Sequence, residues 1–176
     1  MKIYVLPLLL ITAVAHASDL EREVARRLPA LGHRNWIVIA DAAYPLQTSP
    51  GIETITVKDS QVEAVRQILI ALSKTKHVRP VVFLDSELKF VAEKNAPGID
   101  AYRASLNQVL QGRPAQRMLH EKIIANLDEA GKSFKVLLIK TPHTLPYTSV
   151  FLQLQCGYWS DAAEKELRNA MKAGAK

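Results

Sequence analysis

Two kinds of hydrophobic pattern alternate along the chain after a first apolar stretch. In one kind, apolar residues recur three and four positions apart, which is typical of an amphipathic helix. In the other, most positions of a short run are apolar, which is typical of a buried strand. The first kind predicts helices over residues 18–32, from 60, over 99–110, over 120–130 and from 160. The second predicts strands over residues 35–40, 52–57, 80–84, 134–140 and 150–156.

The alternation of strands and helices indicates a single α/β domain. Strands that are apolar on both faces need cover on both faces, so we expect a central sheet sandwiched between helices. The sequence contains no repeat and no Gly/Ser linker that would divide the chain. Residues 159–176 are expected to form a C-terminal helical extension. Its predicted buried face consists of Ala163, Leu167, Ala170 and Met171.

Two of the predicted helices begin with a capping box. In this motif a serine hydroxyl accepts a hydrogen bond from a free N–H, and a glutamate three residues later returns the bond. Ser18 and Glu21 have this spacing, and so do Ser60 and Glu63. We therefore expect one helix to begin at each serine.

The first seventeen residues have the pattern of an export signal. Lys2 supplies a positive charge, residues 3–14 are apolar and uncharged, and Ala15-His16-Ala17 has the small-x-small pattern of a cleavage site. A run of this length is too short to span a bilayer as a mature helix. We predict cleavage before Ser18, which makes residues 1–17 a signal peptide, residues 18–176 the folded domain, and the protein periplasmic or secreted. An uncleaved membrane anchor is the alternative.

The charge of the chain argues against a nucleic-acid partner. Lys and Arg number 23 and Asp and Glu number 17, for a net charge of +6. These charges are spread along the sequence, and Arg26-Arg27 is the longest run of basic residues. We interpret this distribution as a solvated basic surface rather than a nucleic-acid patch. No further apolar stretch suggests contact with a membrane after signal cleavage.

The sequence lacks the motifs of common cofactor and nucleophile sites. It has no Gly-rich phosphate loop, no His-Glu-x-x-His and no Gly-x-Ser-x-Gly. Cys156 is the single cysteine, which excludes an internal disulfide, and its strand-like surroundings favour a packed thiol over a catalytic one. We therefore predict no cofactor and no metal.

Polar residues flank the first buried strand. His33 precedes it and Asp41 follows it. At about 3.3 Å per residue, an extended chain separates the two by about 25 Å, so they cannot serve one site within one subunit. A site shared between neighbouring subunits would bring them together. The simple alternatives are a turn-initiating Asp41 and a His33 that interacts with a helix C-terminus.

The motifs around this strand resemble those of the ribose pyranase / fucose mutarotase family. Leu31-Gly32-His33 is followed by a buried strand and by Asp41-Ala42-Ala43-Tyr44-Pro45. The family has a Leu/Met-Gly-His triplet and an Asp-Ala-x-x-Pro turn at this spacing, and the aromatic residue before Pro45 is closer to its fucose branch. Tyr147 matches the family's Tyr-x-Asn motif before the last strand, whereas Ser149 stands where the family has Asn. The resemblance spans residues 20–158.

The second histidine of the predicted site has two candidates. His120-Glu121 matches in order a His-Glu pair that the ribose branch places at the start of a late helix. The lysine that follows one turn later in that branch is Ile124 here. His143, in the loop before Tyr147, is the rival, and a plain surface histidine is the simple alternative for both.

The resemblance implies a three-layer mutarotase-like fold and an isomerase that needs no cofactor. It implies that His33 is the catalytic acid and base. Asp41, His120, Tyr147 and Ser149 would bind a monosaccharide related to fucose or ribose. The family also implies a ring-like homo-oligomer with sites between subunits.

Two other functions remain open at this stage. The export signal and Ser149 are compatible with a non-catalytic carbohydrate-binding or structural module on the same fold. A metal site formed by His33, Asp41 and His120 has suitable ligand types but no supporting spacing.

Overall fold

The computed structural model describes residues 17–174. The predicted signal peptide lies outside the described residues, apart from Ala17. None of the helices within 17–174 combines the length and the apolar character that a membrane crossing needs.

Five α-helices and six strands make up the described chain. The helices are α1 (Asp19–Arg27), α2 (Gln61–Ser73), α3 (Ile99–Leu110), α4 (His120–Ser133) and α5 (Asp161–Gly174). The strands are β1 (Trp36–Ala40), β2 (Ile52–Thr56), β3 (Val78–Asp85), β4 (Ala115–Met118), β5 (Val136–Lys140) and β6 (Val150–Cys156). Short 3-10 helices cover Leu28–Ala30 and Glu87–Phe90.

The six strands form one mixed sheet in the order β2-β5-β1-β6-β3-β4. Strand β6 runs antiparallel to both of its neighbours, β1 and β3, while the other pairs are parallel. The carboxyl ends of five strands therefore meet at the same edge of the sheet at which β6 begins. Residues that follow β1, β3 and β4 are thus brought close to residues that precede β6.

Hydrophobic side chains cover both faces of this sheet. In β1, Ile37 and Ile39 belong to one buried cluster, whereas Trp36, Val38 and Ala40 belong to the other. Helices α1, α2 and α3 pack against the first face, and α4 packs against the second. The predicted fold class, a single α/β domain with a central sheet between helices, is confirmed.

The capping serines behave as predicted, but the glutamates do not return the bond. The Oγ atoms of Ser18 and Ser60 accept hydrogen bonds from the N–H groups of Glu21 and Glu63. The Glu21 carboxylate instead accepts a bond from Lys74 Nζ at 2.5 Å. This contact joins α1 to the end of α2, so the glutamate serves helix packing.

Two elements differ from the prediction. Strand β4 was not predicted because its four residues, Ala115–Met118, lack an apolar run. The predicted burial of α5 is wrong, since none of the residues described in α5 is buried and Leu167 and Met171 are 43% and 56% exposed. The helix leaves the sheet after β6 and is tied to β3 through Asp161, which accepts from Arg79 at 2.9 Å. Its apolar residues belong to neither of the two buried clusters.

Candidate active site

Polar side chains from four strand ends meet at one edge of the sheet. Asp41 follows β1, Asp85 ends β3, His120 begins the helix after β4, and Ser149 directly precedes β6. Ser149 Oγ donates a hydrogen bond to Asp41 Oδ2 at 3.1 Å. The other carboxylate oxygen, Oδ1, accepts from the N–H of Ala43 at 2.9 Å. These contacts fix the Asp41 carboxylate at the edge of the sheet.

A buried carboxylate holds the imidazole of His120. Nδ1 of His120 lies 3.2 Å from Oδ1 of Asp85, within hydrogen-bonding distance. Asp85 is fully buried, and this burial raises its pKa to about 6, although the nearby His120 opposes the rise. The backbone N–H of His120 donates to both carboxylate oxygens of Glu87 at 3.1 Å. The contact with Asp85 orients the imidazole ring through Nδ1. The other ring nitrogen, Nε2, does not take part in that contact.

Tyr147 packs against His120 in the same cluster. Its ring meets the His120 ring edge to face, with centroids 5.6 Å apart. The Tyr147 backbone is in the left-handed region at φ 56°, where residues other than glycine are uncommon. The side chain remains 40% exposed. An aromatic ring that is partly exposed beside polar groups is suited to pack against a sugar face.

Asp41, His120 and Tyr147 line an open cleft with a volume of about 440 Å³. This volume lies in the range of small-molecule sites. The lining combines carboxylate, imidazole and phenol groups with apolar walls. Its members are Asp41, Ala43, Tyr44, Pro45, His120, Glu121, Ile124, Pro146 and Tyr147.

The structure brings together four of the five residues predicted for the site, and the fifth lies elsewhere. Asp41, His120, Tyr147 and Ser149 are at the edge just described, whereas His33 precedes the opposite end of β1. There it lines a separate depression with Trp36, Phe83 and Phe134 among others. The placement agrees with the expectation that one subunit cannot bring His33 to Asp41.

Of the two candidate histidines, His120 faces the cleft and His143 packs behind it. The His143 ring lies against Tyr102, with centroids 5.0 Å apart, and its Nε2 is buried. Burial lowers the pKa of His143, while the charge of Asp41 opposes that effect. His143 is therefore suited to a neutral packing role.

Asp85 and Glu87 were not among the residues predicted from the sequence. Asp85 is the last residue of β3 and Glu87 lies just beyond it, at the same edge of the sheet at which Asp41 follows β1. That position was the available signal, because in parallel sheets the carboxyl ends of strands gather at one edge. His33, Asp41 and His120 do not come together within the chain, and residues 17–174 contain no group of three or more His, Cys, Asp or Glu arranged to hold a metal ion.

Comparisons with known proteins agree with this fold. A family model described as the RbsD / FucU transport protein family matches residues 16–157. The structure of Bacillus subtilis RbsD complexed with D-ribose is 21% identical, with a TM-score of 0.51, and the match covers 81% of this chain and 96% of that one. The fucose mutarotase from Streptococcus pneumoniae, in complex with L-fucose, is 18% identical with a TM-score of 0.55, and the match covers 80% and 96%. At these identities the two structures show a shared fold. No curated protein sequence matches the chain significantly.

Proposed function

Because the chain belongs to the RbsD / FucU transport protein family, we propose that it is a monosaccharide mutarotase. It would interconvert the anomers or ring forms of a sugar related to ribose or fucose, the sugars bound in the two structures of similar fold. One observation carries the proposal. His120, which Asp85 holds, lines the same cleft as Asp41, which Ser149 holds, so an imidazole and a carboxylate that can both bind sugar hydroxyls face one space.

The reaction requires two proton transfers and no net change in the sugar. On ring opening, the anomeric hydroxyl loses a proton, the bond from the anomeric carbon to the ring oxygen breaks, and the ring oxygen gains a proton. Closure on either face of the resulting carbonyl reverses these steps and gives either anomer. An imidazole can both accept and donate near neutral pH, so one histidine can act in both directions.

The residues of the cleft supply binding and orientation for this chemistry. The Asp41 carboxylate can accept hydrogen bonds from sugar hydroxyls, since ionised carboxylates offer several acceptor sites. The Asp85 carboxyl group orients the imidazole of His120 through their contact at Nδ1. Tyr147 offers a ring face for the sugar and a hydroxyl that can donate to an oxygen.

The proposed catalytic histidine, His33, comes from a neighbouring copy of the chain. Two features support a head-to-tail assembly. The end of the subunit that holds the cleft also carries Leu46 and Leu119, which are 75% and 53% exposed and are adjacent in sequence to Pro45 and His120 of the cleft. The end that holds His33 carries the partly exposed ring of Phe134. Two different surfaces that pair in this way build a ring when the rotation closes.

We also propose that the protein acts outside the cytoplasm. The support is in the sequence, where Lys2, the apolar residues 3–14 and Ala15-His16-Ala17 follow the pattern of a cleaved signal peptide. Mass spectrometry of the exported protein should find Ser18 as its first residue. Retention of residues 1–17 in that protein would instead favour an anchor.

An anomer-exchange assay tests the proposed activity. The purified protein is mixed with freshly dissolved ribose, fucose, galactose or glucose, and the exchange is followed by saturation-transfer NMR. We expect exchange well above the spontaneous rate for at least one sugar of the ribose or fucose type. Sugar binding without faster exchange would support the alternative, a non-catalytic carbohydrate-binding module, which Ser149 in place of the family's Asn makes worth testing.

A further inference from the structure

The loop over residues 141–149 carries Tyr147, which lines the cleft, and Ser149, which holds Asp41 of the cleft. Tyr147 has a positive φ of 56°. Residues other than glycine keep such a conformation when the surrounding structure holds it in place. Ser149, two residues later, makes the hydrogen bond to Asp41. Thr148 lies between them, so contacts that fix the Thr148 peptide also fix the positions of Tyr147 and Ser149.

Two side chains from different helices bind the carbonyl oxygen of Thr148. The hydroxyl of Tyr102, on α3, donates to it at 2.6 Å. Nε2 of Gln61, on α2, donates to it at 3.0 Å. Gln61 has no exposed surface, Tyr102 is 5% exposed, and neither lines the cleft. A buried carbonyl with two side-chain donors is held in both position and orientation.

Gln61 also connects this peptide to strand β1 and to the first residue of the loop. Its Nε2 donates to the carbonyl of Ile39 in β1 at 2.9 Å. Its Oε1 accepts from the hydroxyl of Thr141, the first residue of the loop, at 2.5 Å. One amide group thus joins both ends of the loop to the strand that precedes Asp41. Burial raises the pKa of the Tyr102 phenol, which keeps the second donor protonated.

We propose that Gln61 and Tyr102 are positioning residues for the cleft. Through the Thr148 carbonyl they hold Tyr147 against His120 and Ser149 against Asp41. The inference deepens the proposed function and rests on it where sugar kinetics are concerned. Neither residue touches the sugar, so both act through the loop.

A buried glutamine on the same helix provides a matched control. Gln67 is 3% exposed, and its Nε2 donates to Asp59 and Glu63 at 2.8 and 2.7 Å, away from the cleft. Gln67→Met and Gln61→Met remove the same groups from similarly buried sites. If Gln61 served folding alone, the two variants would have the same effect on the cleft residues. If Gln61 positions the loop, only Gln61→Met should alter them.

The experiment compares Tyr102→Phe, Gln61→Met, their double variant and Gln67→Met. We expect each of the first two to lower kcat/KM for the best sugar by ~10- to 100-fold, because displaced reacting groups are costly. The double variant should lose less than the product of the two, since both donors share one acceptor. The kcat/KM of Gln67→Met should stay within about twofold of the wild-type value, even when its Tm falls as much as that of Gln61→Met.

Two further measurements do not depend on turnover. The ring resonances of His120, recorded by NMR on protein labelled at histidine, and the hydrogen exchange of amides 147–149 report the loop directly. We expect Tyr102→Phe and Gln61→Met to shift the resonances and speed the exchange, and Gln67→Met to leave both unchanged. If the wild type proves inactive but these changes occur, the positioning role stands and the proposed function fails. If Tyr102→Phe and Gln61→Met match Gln67→Met in resonances, exchange and kinetics, the positioning role is wrong.

Discussion

The carboxyl group of Asp85 is fully buried, and its Oδ2 has no hydrogen-bond partner among residues 17–174. Burial raises its pKa from 3.8 to about 6, with His120 opposing the rise and Glu87 and Asp41 adding to it. The folded protein therefore binds this proton more tightly than the unfolded chain does. The resulting stability is fully present below about pH 4 and is lost as the pH rises through about 6. Near pH 7 the ionised carboxylate lowers the free energy of unfolding by at most about 3 kcal/mol.

Replacement of this carboxyl group should separate stability from activity. We expect Asp85→Asn to unfold at a higher temperature than the wild type at pH 7.5, because the cost of a buried charge is gone. At pH 4 the difference should disappear, since Asp85 is then protonated in the wild type as well. Sugar exchange should fall in the variant, because an amide replaces the carboxyl group that holds the imidazole of His120. Thermal unfolding at both pH values checks the first two points, and equal Tm differences at both would contradict them.

His33 is the residue on which the enzymatic proposal depends most. We expect His33→Ala to slow anomer exchange by ~10²- to 10⁴-fold, the usual effect of a positioned acid–base group. Its Tm should change little, and Asp41→Asn should mainly weaken sugar binding. The measurements are the exchange rate, the sugar Kd and the thermal midpoint of each variant.

His77→Ala is a contrasting histidine variant for this test. His77 Nε2 bonds to the carbonyls of Leu28 and Leu31 at 3.0 and 3.1 Å, which ties the segment after α1 to the chain before β3. Its loss should lower the Tm and leave the exchange rate near that of the wild type. A His33→Ala variant that exchanges as fast as the wild type would exclude His33 as the catalytic group.

At the scale of elements, α4 and α5 show that helices with similar amphipathic patterns can differ in burial. Both have an apolar stripe, but α4 packs Ile123 and Leu127 against the sheet, whereas α5 has no buried residue in the part of the chain that the structure describes. An apolar stripe indicates that a helix would be stabilised by packing that face against another surface. Whether the subunit provides that surface depends on where the preceding strand ends.

A pair of leucine variants measures this difference. Leu127 is 1% exposed and Leu167 is 43% exposed. We expect Leu127→Ala to destabilise the fold by about 2–5 kcal/mol, as large-to-small changes in a core do. Leu167→Ala should change stability by less than about 0.5 kcal/mol. Denaturant unfolding of both variants checks the comparison, and a comparable loss for Leu167→Ala would show that α5 packs on the protein after all.

The same contrast explains how far the sequence predicts the fold and the candidate site. The inner strands have runs of apolar residues, so their pattern alone identifies them, whereas the edge strand β4 is polar and pairs with one neighbour. Asp41, Tyr147 and Ser149 stand beside strands that could be predicted. Asp85 acquires its importance from its contact with His120, 35 positions away in the chain, and no local pattern encodes that distance. The left-handed backbone of Tyr147 likewise depends on side chains from α2 and α3.

The whole molecule has two unlike ends, one with the cleft and one with His33. If these ends join copies of the chain, light scattering at micromolar concentration should give a mass several times that of one chain. Leu119→Glu, at the cleft end, should lower that mass and the exchange rate together, because a charge would have to be buried at the contact. Leu167→Glu, on α5, serves as the matched control and should leave both unchanged. A wild-type protein that scatters as a monomer would contradict the shared site.

The separation of His33 from Asp41 by the length of β1 has a genetic consequence. Two chains that are each impaired, one in proton transfer by His33→Ala and one in sugar binding by Asp41→Asn, should complement each other when they assemble together. In a random equal mixture, about a quarter of the contacts would pair an intact His33 with an intact Asp41. Refolding the two variants together should therefore restore about a quarter of the wild-type rate of anomer exchange. Mixing them after separate assembly should restore none until subunits exchange between oligomers. A cell that carries one damaged copy of each kind would thus retain part of the activity that either copy alone would lack.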